Sequence, residues 1–134
     1  MKDAAIKIEK CRLRGTVKAP PSKSESHRLL IAAGLADGTS TVRGVGGSED
    51  INATLDCLSA LGAEYSRSGD VITVKGADPK KRGSAVFPCR ESGSTLRFFI
   101  PIALLSGNDA DFTGSERLFQ RPLSVYSDIC LGQG

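Results

Sequence analysis

Tryptophan is absent from this chain, and histidine and methionine occur once each. Aromatic residues make up only 5%, so the stacking platforms of nucleic-acid binders are missing. No apolar stretch approaches the length of a membrane-spanning helix; the longest, Phe98 to Leu105, is eight residues and carries Pro101. The N-terminus lacks the basic, apolar, small-residue succession of a signal peptide, and Asp3 and Glu9 argue against a transit peptide. Like charges never run longer than Lys80-Lys81-Arg82, which reads as a solvated loop. These absences point away from membrane and nucleic-acid partners and toward a cytoplasmic domain.

Cys11, Cys57, Cys89 and Cys130 stand far apart with no C-x-x-C pair, and one histidine cannot make up a zinc site. Buried free thiols are the expected state, with Cys89 set beside a loop singled out below. What remains is 134 residues, 40% hydrophobic and 25% charged, enough for one ordinary core. Eighteen basic against 15 acidic residues leave a net charge of +3, a balance suited to small anionic ligands.

Local patterns predict an α/β chain. Ile6 and Ile8 alternate with Lys7 and Glu9, so residues 4–13 read as a strand. Pro20-Pro21 and the capping-box spacing from Ser22 to Glu25 announce a helix from about Glu25 to Ala36, closed near Gly38. Thr39 to Val45 is β-branched. Ser48 caps a second helix whose apolar face is Ile51, Leu55, Leu58 and Leu61. Two short strands, 63–66 and 71–75, follow around a Ser68-Gly69-Asp70 turn. The order then restarts: a strand at 85–88, a helix from the Glu91–Thr95 loop to Ser106, a strand at 111–114, and a helix opened by Pro122. A slide of 69 positions lays Arg28 on Arg97, Leu35 on Leu104 and Gly38 on Gly107. The expectation is two copies of a βαβαββ unit, the second cut short after its second helix.

The loop from Pro20 to Arg28 places Lys23 and Ser24 at a helix start, where free N–H groups and the helix dipole favour an anion, with Arg28 within reach. The same residues read equally as a capped surface helix with solvated charges. The corresponding second loop offers Gly93, Ser94, Thr95 and Arg97, with Glu91 opposing an anion; a structural cap is the plainer reading there. Arg121 before Pro122 reads as an anion clamp or an exposed loop arginine. His27 lacks a Cys or Asp partner and reads as a helix-face residue rather than a catalytic base. Gly44-Val45-Gly46-Gly47 has neither nucleotide-loop spacing.

Taken in order, Pro-Pro-Ser-Lys-Ser-x-Ser-His-Arg (20–28), Leu-Ala-Asp-Gly-Thr-Ser (35–40), Leu-Gly-Ala (61–63), Glu-Ser-Gly-Ser-Thr-Leu-Arg (91–97) and Gln-Arg-Pro (120–122) resemble the 5-enolpyruvylshikimate-3-phosphate synthases. The resemblance runs from about residue 12 to 126 and corresponds to roughly the first third of such an enzyme. It implies transfer of the enolpyruvyl group of phosphoenolpyruvate to the 5-hydroxyl of shikimate 3-phosphate, releasing phosphate, in aromatic amino acid biosynthesis, with no metal or organic cofactor. It implies an inside-out α/β barrel of βαβαββ units, the active site lying between two domains. Residues 1–14 would pack in the other domain, and 15–134 would form part of the N-terminal one, with units at about 15–76 and 84–134. Lys23 would contact both substrates, Ser24 and Arg28 would hold shikimate 3-phosphate, and Gly93 and Arg121 would bind phosphoenolpyruvate.

Glu91 departs from the asparagine that many members carry, which bears on phosphoenolpyruvate and glyphosate affinity. The family's proton-handling carboxylates have no match here, so no catalytic residue is assigned and the chain alone is expected to be silent. The full-length family is usually monomeric, whereas unpaired faces of a fragment invite self-association. Two alternatives stay open. The sister UDP-N-acetylglucosamine enolpyruvyl transferases typically carry Lys-Asn where this chain has Lys23-Ser24, and a cysteine ahead of Arg-Pro that is missing here. A non-catalytic anion-binding module of the same fold is the other.

Overall fold

The computed structural model describes residues 5–133. Its elements are α1 (Lys23–Leu35), β1 (Thr39–Val42), α2 (Glu49–Ala60), β2 (Glu64–Ser68), β3 (Val71–Lys75), β4 (Ala85–Arg90), α3 (Gly93–Ser106), β5 (Ala110–Gly114), α4 (Glu116–Phe119) and α5 (Ser124–Gln133), with one 3-10 turn at Pro79–Lys81. Helices α1, α2 and α3 begin by the same device. A serine in extended backbone (Ser22, Ser48 or Ser92) accepts a hydrogen bond from an amide three residues on. Left-handed glycines then stop the chain: Gly38 follows α1 at φ +92° and Gly107 caps α3 at φ +70°.

From Pro20 onward the expected elements form within a few residues of their expected bounds. The 3-10 turn and α4 were not anticipated, and α5 starts at Ser124, two residues beyond Pro122. The expected strand at 4–13 does not form; residue 4 lies outside the described residues. Residues 5–22 carry no helix or strand, and Ile6, Ile8 and Leu13 are each about nine-tenths exposed. Alternation alone cannot make a strand, because ladder hydrogen bonds need a neighbour, and no described strand lies alongside.

Two sheets carry the helices. In the first, β3 lies between β1 and β2, antiparallel to both, with Val42 opposite Ile72 and Tyr65 opposite Val74. Ile72 and Val74 point into the core beside Leu30 of α1 and the predicted α2 face, where Ile51, Leu55, Leu58 and Leu61 are all buried. In the second, β4 and β5 run parallel, joined through α3. Phe87 of β4 packs between Phe99, 5.6 Å away, and Phe112, 5.1 Å away. One core therefore spans both sheets and fixes where the helices begin.

Pro101 interrupts α3 and cannot donate to the Arg97 carbonyl four residues back. The Tyr126 hydroxyl of α5 donates to that carbonyl at 3.1 Å, filling the vacancy from another element. Closer still is the approach of Gly76 to the end of α1. Its amide donates to the Gly38 carbonyl at 3.0 Å, and an added Cβ would lie 2.0 Å from the Ala36 carbonyl oxygen.

Because that obstacle is backbone, Gly76→Ala should cost about 2 kcal/mol or more, read as a lower urea midpoint at constant slope. Tyr126→Phe should cost about 1 kcal/mol by leaving the Arg97 carbonyl unpaired. An unchanged midpoint in either variant would contradict the packing described.

Candidate functional site

The first turns of α1, α2 and α3 meet at one place. Lys23, the first residue of α1, forms an ion pair with Asp50 in the first turn of α2. The Ser92 hydroxyl, from the N-cap of α3, also stabilises the Asp50 carboxylate. Beneath these groups the cluster is dry: His27 of α1, Thr54 of α2, and Thr95 and Ser92 at the start of α3 are all buried. His27 lies on the buried face of α1, its Nδ1 2.7 Å from Thr54 Oγ1.

Of the residues singled out from sequence, Lys23, Ser24 and Arg28 are exposed on α1. Arg28 turns back along its helix, donating from Nη1 to the Ser24 carbonyl at 2.8 Å, with its guanidinium 5.2 Å from the Phe98 ring centre of α3. Arg97 repeats the gesture at an offset of 69 residues, its Nη1 donating to the Gly93 carbonyl at 3.4 Å. Gly93 is buried under guanidinium groups: an added Cβ would meet Arg121 Nη1 at 2.3 Å and Arg97 Nη1 at 3.0 Å. Gly93, Arg97 and Arg121 therefore form one group. A cleft of about 150 Å³ opens beside it, lined by Glu91, Ser115, Arg117, Leu118 and Arg121. Two guanidinium groups and one carboxylate face that cleft, so its charge balance admits an anion while Glu91 opposes close approach.

The backbone entering this loop is held under strain. Arg90 has φ +53°, the left-handed region that costs a non-glycine residue roughly 1–2 kcal/mol. Its side chain pairs with both Glu49 and Asp56 of α2, and its carbonyl accepts from the Ser115 amide at 2.8 Å. The Glu91–Gly93 loop is thereby clamped between α2 and the turn before α4. Behind it, Cys57 and Cys89 are buried with sulfurs 3.9 Å apart; the hydrogen bond to Cys89, with burial, pushes the Cys57 thiol up. All four cysteines are free, as expected, but Cys11 and Cys130 are exposed rather than buried.

Lys23 holds the Asp50 carboxyl below its ordinary value by hydrogen bonding, with help from Ser92, against the opposing effect of burial. Burial lowers the His27 pKa, Lys23 and Arg28 add to that, and Asp50 opposes them. The imidazole is accordingly neutral at pH 7. Sequence reading missed Asp50, Thr54 and Arg90. Asp50 looked like an ordinary first-turn acid, Thr54 carries no motif, and the Arg90 conformation is invisible before folding. Among the described residues no group of three or more His, Cys, Asp or Glu is placed to hold a metal ion.

The sequence profile of the EPSP synthase (3-phosphoshikimate 1-carboxyvinyltransferase) family matches residues 8–129. The 3-phosphoshikimate 1-carboxyvinyltransferase of Clostridium kluyveri is 42% identical over 128 residues, covering 96% of this chain and 30% of that protein. That of Clostridium perfringens is 42% identical over 123 residues, covering 91% and 29%. An EPSP synthase structure from Acinetobacter baumannii superposes with a TM-score of 0.66 at 26% identity, over 81% of this chain and 25% of that one. The α/β fold is shared with these proteins. The chain spans about 30% of the length of the curated relatives it matches.

Replacing Lys23 by Met should raise the Asp50 titration midpoint, followed by its carboxyl ¹³C shift. The sign follows from linkage: a carboxyl depressed in the folded state stabilises it above the unfolded pKa, and that share is lost as pH falls through the lower folded value. Lys23→Met should remove this share of the acid-range loss. An Asp50 midpoint that does not move would show that the ion pair does not form in solution.

Proposed function

This chain belongs to the EPSP synthase family, and on that premise we propose that it supplies the anion-binding half of an enolpyruvyl transferase site. Phosphoenolpyruvate would donate its enolpyruvyl group to the 5-hydroxyl of shikimate 3-phosphate, and inorganic phosphate would leave. The observation carrying this reading is the meeting of three helix N-termini with Lys23, Arg28, Arg97 and Arg121 around them. Both substrates are polyanions, and free N–H groups with fixed cations suit their phosphates. The homologues' shared name, 3-phosphoshikimate 1-carboxyvinyltransferase, favours this reaction over the sister transferase.

The roles divide between the two loops. Ser24 and Arg28 would hold the phosphorylated acceptor at the start of α1. Gly93 would let the donor approach the backbone at the start of α3, with Arg121 clamping its charge. Lys23, also at the start of α1, would touch both, exchanging its bond to Asp50 for substrate. These groups position the reactants and balance charge as the tetrahedral intermediate forms. None of them is assigned a proton-transfer role, and the 134 residues alone are proposed not to turn over. Residues 1–14 would pack in a second domain, and the remainder would be two βαβαββ units, the second truncated; the opening strand of the first does not form here, residues 15–22 carrying no helix or strand. The protein is proposed to be cytoplasmic; among the described residues no helix is long and apolar enough to cross a membrane.

Titration of the ¹⁵N-labelled chain with shikimate 3-phosphate should move Lys23, Ser24 and Arg28 saturably and more strongly than inorganic phosphate does. Equal responses to the two would reduce the site to a general anion cradle. Gly93→Ala should leave stability nearly unchanged, because the obstacles to its Cβ are the ends of flexible arginines. It should weaken phosphoenolpyruvate binding about tenfold by displacing Arg121, a change of about 1.4 kcal/mol. Undiminished phosphoenolpyruvate binding in that variant would remove Gly93 and Arg121 from the site.

A further inference from the structure

Beneath the two anion-binding loops runs a line of buried side chains that the proposed chemistry does not use. His27 Nδ1 lies 2.7 Å from Thr54 Oγ1. Thr54 Oγ1 lies 2.9 Å from Thr95 Oγ1. Thr95 Oγ1 in turn lies 2.8 Å from Ser92 Oγ, with the Asp50 carbonyl at 3.3 Å. None of the four residues is more than 5% exposed. His27 precedes Arg28 on α1, while Ser92 and Thr95 flank Gly93 at the start of α3. Thr54, on α2, touches both sides.

Each hydroxyl carries one proton, so the line has a direction, and both of its ends agree on it. At one end, His27 Nε2 is buried with no partner among the described residues. An orphaned N–H costs more than an orphaned lone pair, so the proton belongs on Nδ1, which then donates to Thr54. At the other end, Thr95 Oγ1 donates its proton to Ser92 Oγ at 2.8 Å. Thr95 must therefore accept from Thr54, and Thr54 from His27. Running the line backward would bury the Nε2–H without an acceptor.

We propose that Thr54 is a positioning residue whose hydroxyl relays hydrogen bonds from His27 to Thr95, setting the first turn of α3 according to the first turn of α1. The proposal rests on the site reading above, in which a phosphorylated acceptor binds at α1 and phosphoenolpyruvate at α3. Occupancy of one loop then changes affinity at the other, by the same factor in both directions. Buried hydrogen-bonded lines suit this task, because a low-dielectric surround strengthens each bond and makes an unpaired member costly.

Nitrogen NMR of His27 in the ligand-free chain tests the direction first: an Nδ1–H tautomer is expected, and an Nε2–H tautomer overturns the relay. Thr54→Val removes the hydroxyl with little change in shape and should shift the Ser92 to Thr95 amides, 38 or more residues away in sequence. Thr54→Ser should return them to their wild-type positions. Amides that do not move in the Val variant overturn the proposal, and the wild-type tautomer decides it if that variant does not fold. With ligands, shikimate 3-phosphate should strengthen phosphoenolpyruvate binding about tenfold in the wild type and not in Thr54→Val, each ligand alone binding within about twofold of wild type. Persisting enhancement in Thr54→Val overturns the relay. A wild-type chain that binds neither ligand overturns the site reading, and the ligand-free spectra still decide the relay.

Discussion

Three helices of this molecule direct their positive ends at one patch. Each first turn leaves amides that no helix carbonyl can satisfy, and the partial charges of neighbouring helix ends repel one another. Lysine and arginine side chains add to that field. The arrangement holds because Asp50, in the first turn of α2, is ion-paired with Lys23 of α1, a contact that keeps its carboxyl below its ordinary value. Serine N-caps satisfy part of each first turn, and buried hydroxyls tie the turns together from below. Such a patch is costly without anions and favourable with them.

Rigidity around the patch comes from packing behind it. The Phe87, Phe99 and Phe112 cluster fixes α3 to the β4–β5 pair, and Ile51, Leu55 and Leu58 fix α2 between both sheets. Burial of each large side chain contributes roughly 1.5–3 kcal/mol. That supply offsets the left-handed Arg90 and the crowded guanidinium groups over Gly93. Strain persists where its surroundings over-determine it, and Glu49, Asp56 and the Ser115 amide do so here.

Much of the fold was legible in order along the chain. Serine caps, helical spacing and closing glycines are local signals, so α1, α2 and α3 could be placed within about two residues. The 69-residue slide that aligned Arg28 with Arg97 also relates their matching bonds to Ser24 and Gly93. Residues 4–13 show the converse. Their alternation is a strand pattern, but pairing is a property of two segments, and no described strand lies alongside this one.

Sequence alone therefore determined which residues carry positive charge at helix starts, because caps, dipoles and neighbouring cations act over a few residues. It also determined the family, through motifs spread from Pro20 to Pro122. Only the tertiary structure decided that Lys23 faces Asp50, that His27 is buried against Thr54, and that Arg121 lies over Gly93. Those contacts join residues 27 or more positions apart in sequence. Their partners are chosen by how helices pack on sheets, and no local spacing encodes that choice.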